Sequence, residues 1–292
     1  MKHQKISKES FFKDFQEMVA RKTAEPTKSI LQGLEPVIKQ RYISYWEHRQ
    51  KPEELPANEH AHARTVDQRT ALESAYNPSS AIIEAWKTKL FKGKVARCAY
   101  CQIEKGTHWD HFLPESKFPD YSVYQPNLVR TCDECNTRKS ANKTYPDREI
   151  VHPYFDPLDS VVFLHCTISC EPALSAVFSI EPDTSQPGYT RYHHTIVSEH
   201  FNFFDLANIF QGEASAALGE FSDTLRNAVI DSENLQIKSF IERTSRTRIQ
   251  KEQENGKNEN CWEIALWEAV LTSSEDLDAF WRSRFIAEGI LT

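Results

Sequence analysis

The sequence predicts an α+β fold: mainly helical, with a small β-containing module near its centre and a β-hairpin region after it. Three observations carry this expectation. Apolar residues recur at helical spacing in both flanks of the 292-residue chain. Two C-x-x-C pairs, Cys98–Cys101 and Cys132–Cys135, bracket a stretch rich in His, Asp and Asn. A β-branched and aromatic run, VVFLHCTIS, is followed by a Glu171-Pro172 turn and a second such run, ALSAVFSIEP. The chain therefore divides into an N-terminal helical region over 1–93, a compact module over 94–150, and a hairpin with C-terminal helices over 151–292.

Each element has its own signal. Residues 5–47 read as helical. Phe11, Phe12, Phe15, Met18 and Val19 form a stripe after Ser7, a candidate N-cap. Ile30, Leu31, Leu34, Val37 and Ile38 form the next, continued by Tyr42, Tyr45 and Trp46, with Pro36 placed to kink or restart the helix. The polar stretch 48–70 reads as a loop, with His60 and His62 solvated within it. SSAIIEAWKTKLF, from Ser79 to Phe91, reads as a helix capped by Gly93. A second turn follows the hairpin from Asp183 to Gly188. Helices return from about Ser198, with stripes at Ala214, Ala217, Leu218, Phe221 and Leu225, at Trp262, Ala265, Leu266, Ala269 and Val270, and at Leu277, Phe280, Trp281 and Phe285. These aromatic stripes read as core. Lys251 to Asn260 reads as a polar linker.

Composition narrows the function classes. No stretch approaches the roughly 20 apolar residues of a membrane span. The start, MKHQKISKESFFKDF, lacks a secretory apolar run. The expectation is a cytoplasmic, reducing setting. The net charge of −7 speaks against a nucleic-acid partner, but the segment from Trp86 to Arg148 carries 12 Lys and Arg against 7 Asp and Glu. That local excess fits a phosphate-binding face as well as an ordinary solvated surface.

Four of the seven cysteines form the two C-x-x-C pairs, with thirty residues between Cys101 and Cys132. Each pair turns two sulfurs towards one point, and two pairs complete a tetrahedral thiolate shell, as in structural zinc. A closed shell leaves no place for substrate, so this zinc is expected to fold the site rather than act in catalysis. Cys166, Cys170 and Cys261 read as ordinary buried thiols.

Between the pairs stand Asp110-His111-Phe112-x-Pro114, then Asn127-Leu128, then Cys135-Asn136-x-x-Lys139. Phosphodiester hydrolysis needs a base, a cation to stabilise charge, and a frame holding both in line. His111 suits the base. Asp110 and Asn136 supply hard oxygen donors that fit Mg2+ or Mn2+. Lys139 shares a helical face with Asn136 and is placed to reach a phosphate, whereas Arg138 points elsewhere. Neighbours on a strand face opposite ways, so a bend is expected near Phe112-Leu113-Pro114. His108 reads as an exposed strand residue. His152, before Tyr154 and Phe155, reads as a packed turn residue.

This ordered set resembles the HNH, or ββα-metal, nuclease family over about 45 residues. The resemblance implies that 94–150 is a ββα-metal module with a structural zinc. It also implies that Asn127 orients the base through backbone contacts. The chain departs from the family's letters in having Asp110 first and Asn136 last, which favours Mg2+ or Mn2+ over softer ions. Stand-alone proteins of this kind resemble effectors of bacterial anti-phage systems of the Septu and retron-linked types. The implied function is a DNA endonuclease, with an ATPase subunit as partner. The C-terminal helices offer a surface for that partner or for a second copy of the chain. Two alternatives stay open: an RNA-cleaving enzyme acting for instance on tRNA, and a non-catalytic zinc module that binds nucleic acid.

Overall fold

The computed structural model describes residues 11–56, 59–77, 81–91, 97–139, 144–158, 160–181, 185–232 and 234–291, the side chains of 87–91 excepted. Ser7, Ser79, Gly93 and Asp183 lie outside the described residues. Mainly helical, with two small antiparallel sheets, the chain falls into two compact units. One unit ends at Asp156 and the other begins at Pro157. The regions expected over 1–93 and 94–150 thus share one unit, and residues 151–156 join them.

The first unit opens with α1 (Phe11–Arg21) and α2 (Thr27–Glu47), separate helices where the sequence suggested helix throughout. Phe11, Phe15, Met18 and Val19 are buried on α1. Leu31, Leu34, Ile38, Tyr42 and Tyr45 are buried on α2, whereas Val37 is exposed. Pro36 sits inside α2 without ending it. The stretch expected to be a loop over 48–70 contains short 3-10 turns at Pro52–Glu54 and Ala61–Ala63. Its last residues begin α3 (Val66–Ala75), started by a capping box between Thr65 and Gln68. That signal is local and strong, and hydrophobic periodicity alone passes over it. α4 spans Ala81–Phe91.

The centre of the unit is a two-stranded antiparallel sheet and a helix: β1 (His108–His111), β2 (Leu128–Thr131) and α5 (Asp133–Lys139). Asp110 pairs with Val129, and His111 with Leu128. An aromatic wall seats this module on α2. Tyr42 and Tyr124 rings lie 4.2 Å apart, and Tyr45 lies 5.0 Å from Tyr121 and 5.1 Å from Tyr124. The Tyr124 hydroxyl donates to the Tyr42 carbonyl at 3.2 Å, and that of Tyr121 meets the Glu59 carboxylate and lies 3.2 Å from the Arg41 carbonyl.

The second unit holds the expected hairpin, β3 (Leu164–Ser169) with β4 (Ser175–Ile180), turning through Glu171-Pro172. The Asn260 side chain anchors its entrance, accepting from the amides of Phe163 (2.9 Å) and Leu164 (3.1 Å) and donating to the Val161 carbonyl (2.6 Å). Helices α6 (Arg191–Phe203), α7 (Leu206–Asp231), α8 (Ile237–Glu254), α9 (Trp262–Thr272) and α10 (Ser274–Ala287) follow. α6 begins earlier than its apolar residues suggest, because Thr190 and His193 form a capping box. α8 runs to Glu254, so the expected linker from Lys251 is helical over its first residues. The α9 stripe is buried throughout, as are Leu277, Trp281 and Phe285. No helix among the described residues is long and apolar enough to cross a membrane.

Candidate metal centre and active site

The first cysteine pair sits in a tight turn. The Cys98 amide donates to the Glu104 carbonyl (2.7 Å) and the Gln102 amide to that of Cys98 (3.0 Å). Gln102 adopts a left-handed backbone, φ 61°, and its side-chain amide returns to the carbonyls of Cys98 and Ala99 at 3.0 and 3.1 Å. The Ala99 amide donates to Arg130 of β2 at 2.8 Å, fastening this turn to the sheet. The second pair lies at the start of α5. All four cysteines are buried, with their sulfur atoms within 4.8 Å of one another. A tetrahedral zinc–thiolate shell needs sulfurs about 3.8 Å apart, given bonds of about 2.3 Å. Hydrogen bonds from Cys135 and Cys98 draw the Cys101 thiol down, while their bonds to Cys101 push Cys98 and Cys135 up. The group can hold a metal such as zinc.

The other three cysteines depart from expectation, since Cys166, Cys170 and Cys261 are half-buried rather than buried.

β1 ends at His111, and the chain bends at once into Phe112 and Leu113, both fully buried. The bend is held by Asn127, itself fully buried. Asn127 Oδ1 accepts from the Leu113 amide (2.8 Å) and the Tyr45 hydroxyl (3.3 Å), and Nδ2 donates to the carbonyls of Leu113 (3.1 Å) and Tyr121 (3.4 Å). Every donor and acceptor of the amide is used. The Asn127 carbonyl accepts from Phe112 as well, at 2.7 Å. Asn127 therefore braces the bend that follows His111.

His111 is held asymmetrically. A carbonyl only accepts, so the 2.8 Å contact to Ser122 O makes Nε2 the protonated nitrogen and leaves a lone pair on Nδ1. Nδ1 has no hydrogen-bond partner among the described residues. The ring packs edge-on against Tyr76 at 4.6 Å. Burial lowers the His111 pKa, outweighing the upward pull of Glu115, the Ser122 carbonyl and Asp110. The imidazole is thus neutral over more of the pH range.

Asp110 faces the helix. Its carboxylate meets Lys139 Nζ at 3.1 Å (Oδ1) and 2.9 Å (Oδ2). The Tyr100 hydroxyl donates to Oδ2 at 2.7 Å. Lys139 Nζ also donates to the His111 carbonyl at 2.7 Å, and Lys139 is buried. The sequence placed Lys139 for reaching a phosphate; here its ammonium is committed to Asp110 and to the backbone. Asn136 is half-buried one turn earlier on the same face of α5, and its side chain has no partner among the described residues. Arg138 is exposed, and so is His108, 3.4 Å from Asp133.

Sequence reasoning missed four contributors: Tyr100, Tyr45, Tyr76 and the Ser122 carbonyl. Tyr100 had a usable signal, since a tyrosine caught between two metal-ligand cysteines is buried and its hydroxyl needs a partner. His152 is fully buried, not merely a turn residue. Its Nδ1 accepts from the Tyr154 amide (3.3 Å), so Nε2 donates to Tyr45 (3.2 Å), whose hydroxyl continues to Asn127. His60 is half-buried against Phe118 and Tyr145 rather than solvated, with the Tyr145 hydroxyl 3.2 Å from Nδ1; His62 is exposed as expected.

With this geometry in place, the comparisons add one relative. The chain is 28% identical over 141 residues to protein ea31 of Escherichia phage lambda. The match covers 46% of this chain and 46% of that protein, so the chain spans about half the length of the relative. No family model and no solved structure matches.

Proposed function

We propose that the protein is a metal-dependent endonuclease of HNH type that hydrolyses phosphodiester bonds, most readily in DNA. The observation that carries this reading is the state of His111: an imidazole fixed through Nε2, with its Nδ1 lone pair unengaged, adjoining an Asp110 carboxylate at the end of a strand. The β1–β2–α5 order and the buried four-cysteine group support it.

In this reading His111 Nδ1 takes a proton from water, which attacks phosphorus in line with the leaving oxygen. The Ser122 carbonyl keeps the ring in the tautomer that accepts, and stabilises the imidazolium as it forms. Asp110 and Asn136 would hold a divalent cation, Mg2+ or Mn2+, and both present oxygen donors that suit one. That cation supplies charge stabilisation at the phosphate and the leaving oxygen. Asn127 keeps the bend after His111 from relaxing. The four cysteines, holding zinc, fix the frame. The anti-phage setting is a proposal drawn from the sequence resemblance; the cytoplasmic location is drawn from the N-terminal composition, an ATPase partner from the acidic, helix-rich flanks, and assembly with a second copy from the C-terminal helices.

A ββα site grips a phosphate and need not read base or sugar, so RNA is the rival substrate. Supercoiled plasmid and total RNA, incubated in parallel with Mg2+ or Mn2+, separate the two. Nicked plasmid beside intact RNA is the expected result. Degraded RNA beside intact plasmid replaces the substrate, and no cleavage of either under any metal overturns the reading.

A further inference from the structure

Both groups that orient the Asp110 carboxylate belong to the frame built by the four cysteines. Tyr100 lies between Cys98 and Cys101, and Lys139 ends the helix that carries Cys135. Tyr100 is 1% exposed, so its phenol has little room to move independently of the thiolates on either side. The bond from its hydroxyl to Asp110 Oδ2, at 2.7 Å, is short and charge-assisted.

We infer that Tyr100 is a positioning residue that couples the four-cysteine cluster to the divalent cation proposed at Asp110, an inference that rests on that cation reading. A carboxylate binding a cation with few other protein ligands gains most when its plane is fixed beforehand. Tyr100 and Lys139 together meet Oδ2 and fix that plane, and Oδ1, met by Lys139 alone, keeps a lone pair for a cation. Partners of this kind govern metal affinity by roughly 10- to 100-fold. The zinc site then does more than hold the fold: it sets how firmly Asp110 is presented. Tyr154 offers an internal contrast. It too is a buried tyrosine of this unit, but its hydroxyl donates to the Leu128 carbonyl (2.8 Å) and not to Asp110.

The test is Mn2+ binding, followed by electron paramagnetic resonance on the zinc-loaded full chain. Wild type, Tyr100→Phe, Tyr154→Phe and Asp110→Asn are compared, with zinc content and melting temperature measured on each. Tyr100→Phe is expected to retain zinc and bind Mn2+ about tenfold more weakly. Tyr154→Phe is expected to bind as wild type does. Equal Mn2+ affinity for wild type and Tyr100→Phe overturns the inference, as does an equal loss in Tyr154→Phe. If wild type and Asp110→Asn bind Mn2+ alike, the cation reading itself fails, and the inference with it.

Discussion

His111 is engaged at one nitrogen and open at the other, and its pH behaviour follows. Its folded pKa is lowered by burial, so protonation, which removes the lone pair, sets in only at lower pH than for a free imidazole. A cation at Asp110 acts in the same direction. The acidic limb of the cleavage-rate profile should therefore lie below the ordinary histidine value of about 6.5. A limb at or above that value contradicts the assigned environment. Lys139 gives a second expectation. Its ammonium neutralises Asp110 within a nearly dry pair, side chains 2% and 12% exposed. Removing one partner of such a pair leaves the other uncompensated, at a cost of about 3 kcal/mol. Lys139→Met should lower the melting temperature when no divalent cation is added, and Mn2+ should restore more of it than it adds to wild type. Equal Mn2+ shifts in the two proteins would show that Asp110 does not take the cation. At this scale the sequence anticipated the bend after His111, which Asn127 braces. It passed over the Lys139–Asp110 pair, because a helical face specifies a direction but not which charge is nearest.

At the scale of elements, the strand–strand–helix order and the cysteine pairs were legible because each has a dense local code. Two C-x-x-C turns fix a cluster whatever surrounds them. The hairpin over 164–180 was equally plain, with β-branched runs either side of a proline turn. The elements misjudged were polar ones. α3 and the first turn of α6 begin at capping boxes, and α8 continues through charged residues, so apolar periodicity undercounts all three. The four cysteines join β1, β2 and α5 into one frame, which gives an expectation for the element as a whole. Stripping zinc with a thiol-selective chelator should abolish cleavage, and Mg2+ alone should not restore it. Full activity in zinc-free protein would remove the cluster from the account.

For the whole molecule, composition points two ways. A chain of net charge −7 is a poor generic partner for nucleic acid, yet its central segment is basic. The unit boundary falls after Asp156, six residues beyond the boundary expected after residue 150. In three dimensions the segment from Arg148 to Asp156 is bound inward: Arg148 pairs with Asp156, and His152 reaches the Tyr45–Asn127 chain. The first spans eight residues and the second 107, and contacts of the second kind leave no periodic trace. They also mean that the candidate site is braced from α2 through to Asp156, well beyond the 45 residues that carry the resemblance. The measurement that tests the central claim most directly is plasmid nicking in Mg2+ or Mn2+ by the full chain beside its His111→Ala variant, both shown to hold zinc. The account predicts cation-dependent nicking by wild type and at least a hundredfold loss in the variant, with fold and zinc unchanged. Undiminished nicking by zinc-loaded His111→Ala would contradict it.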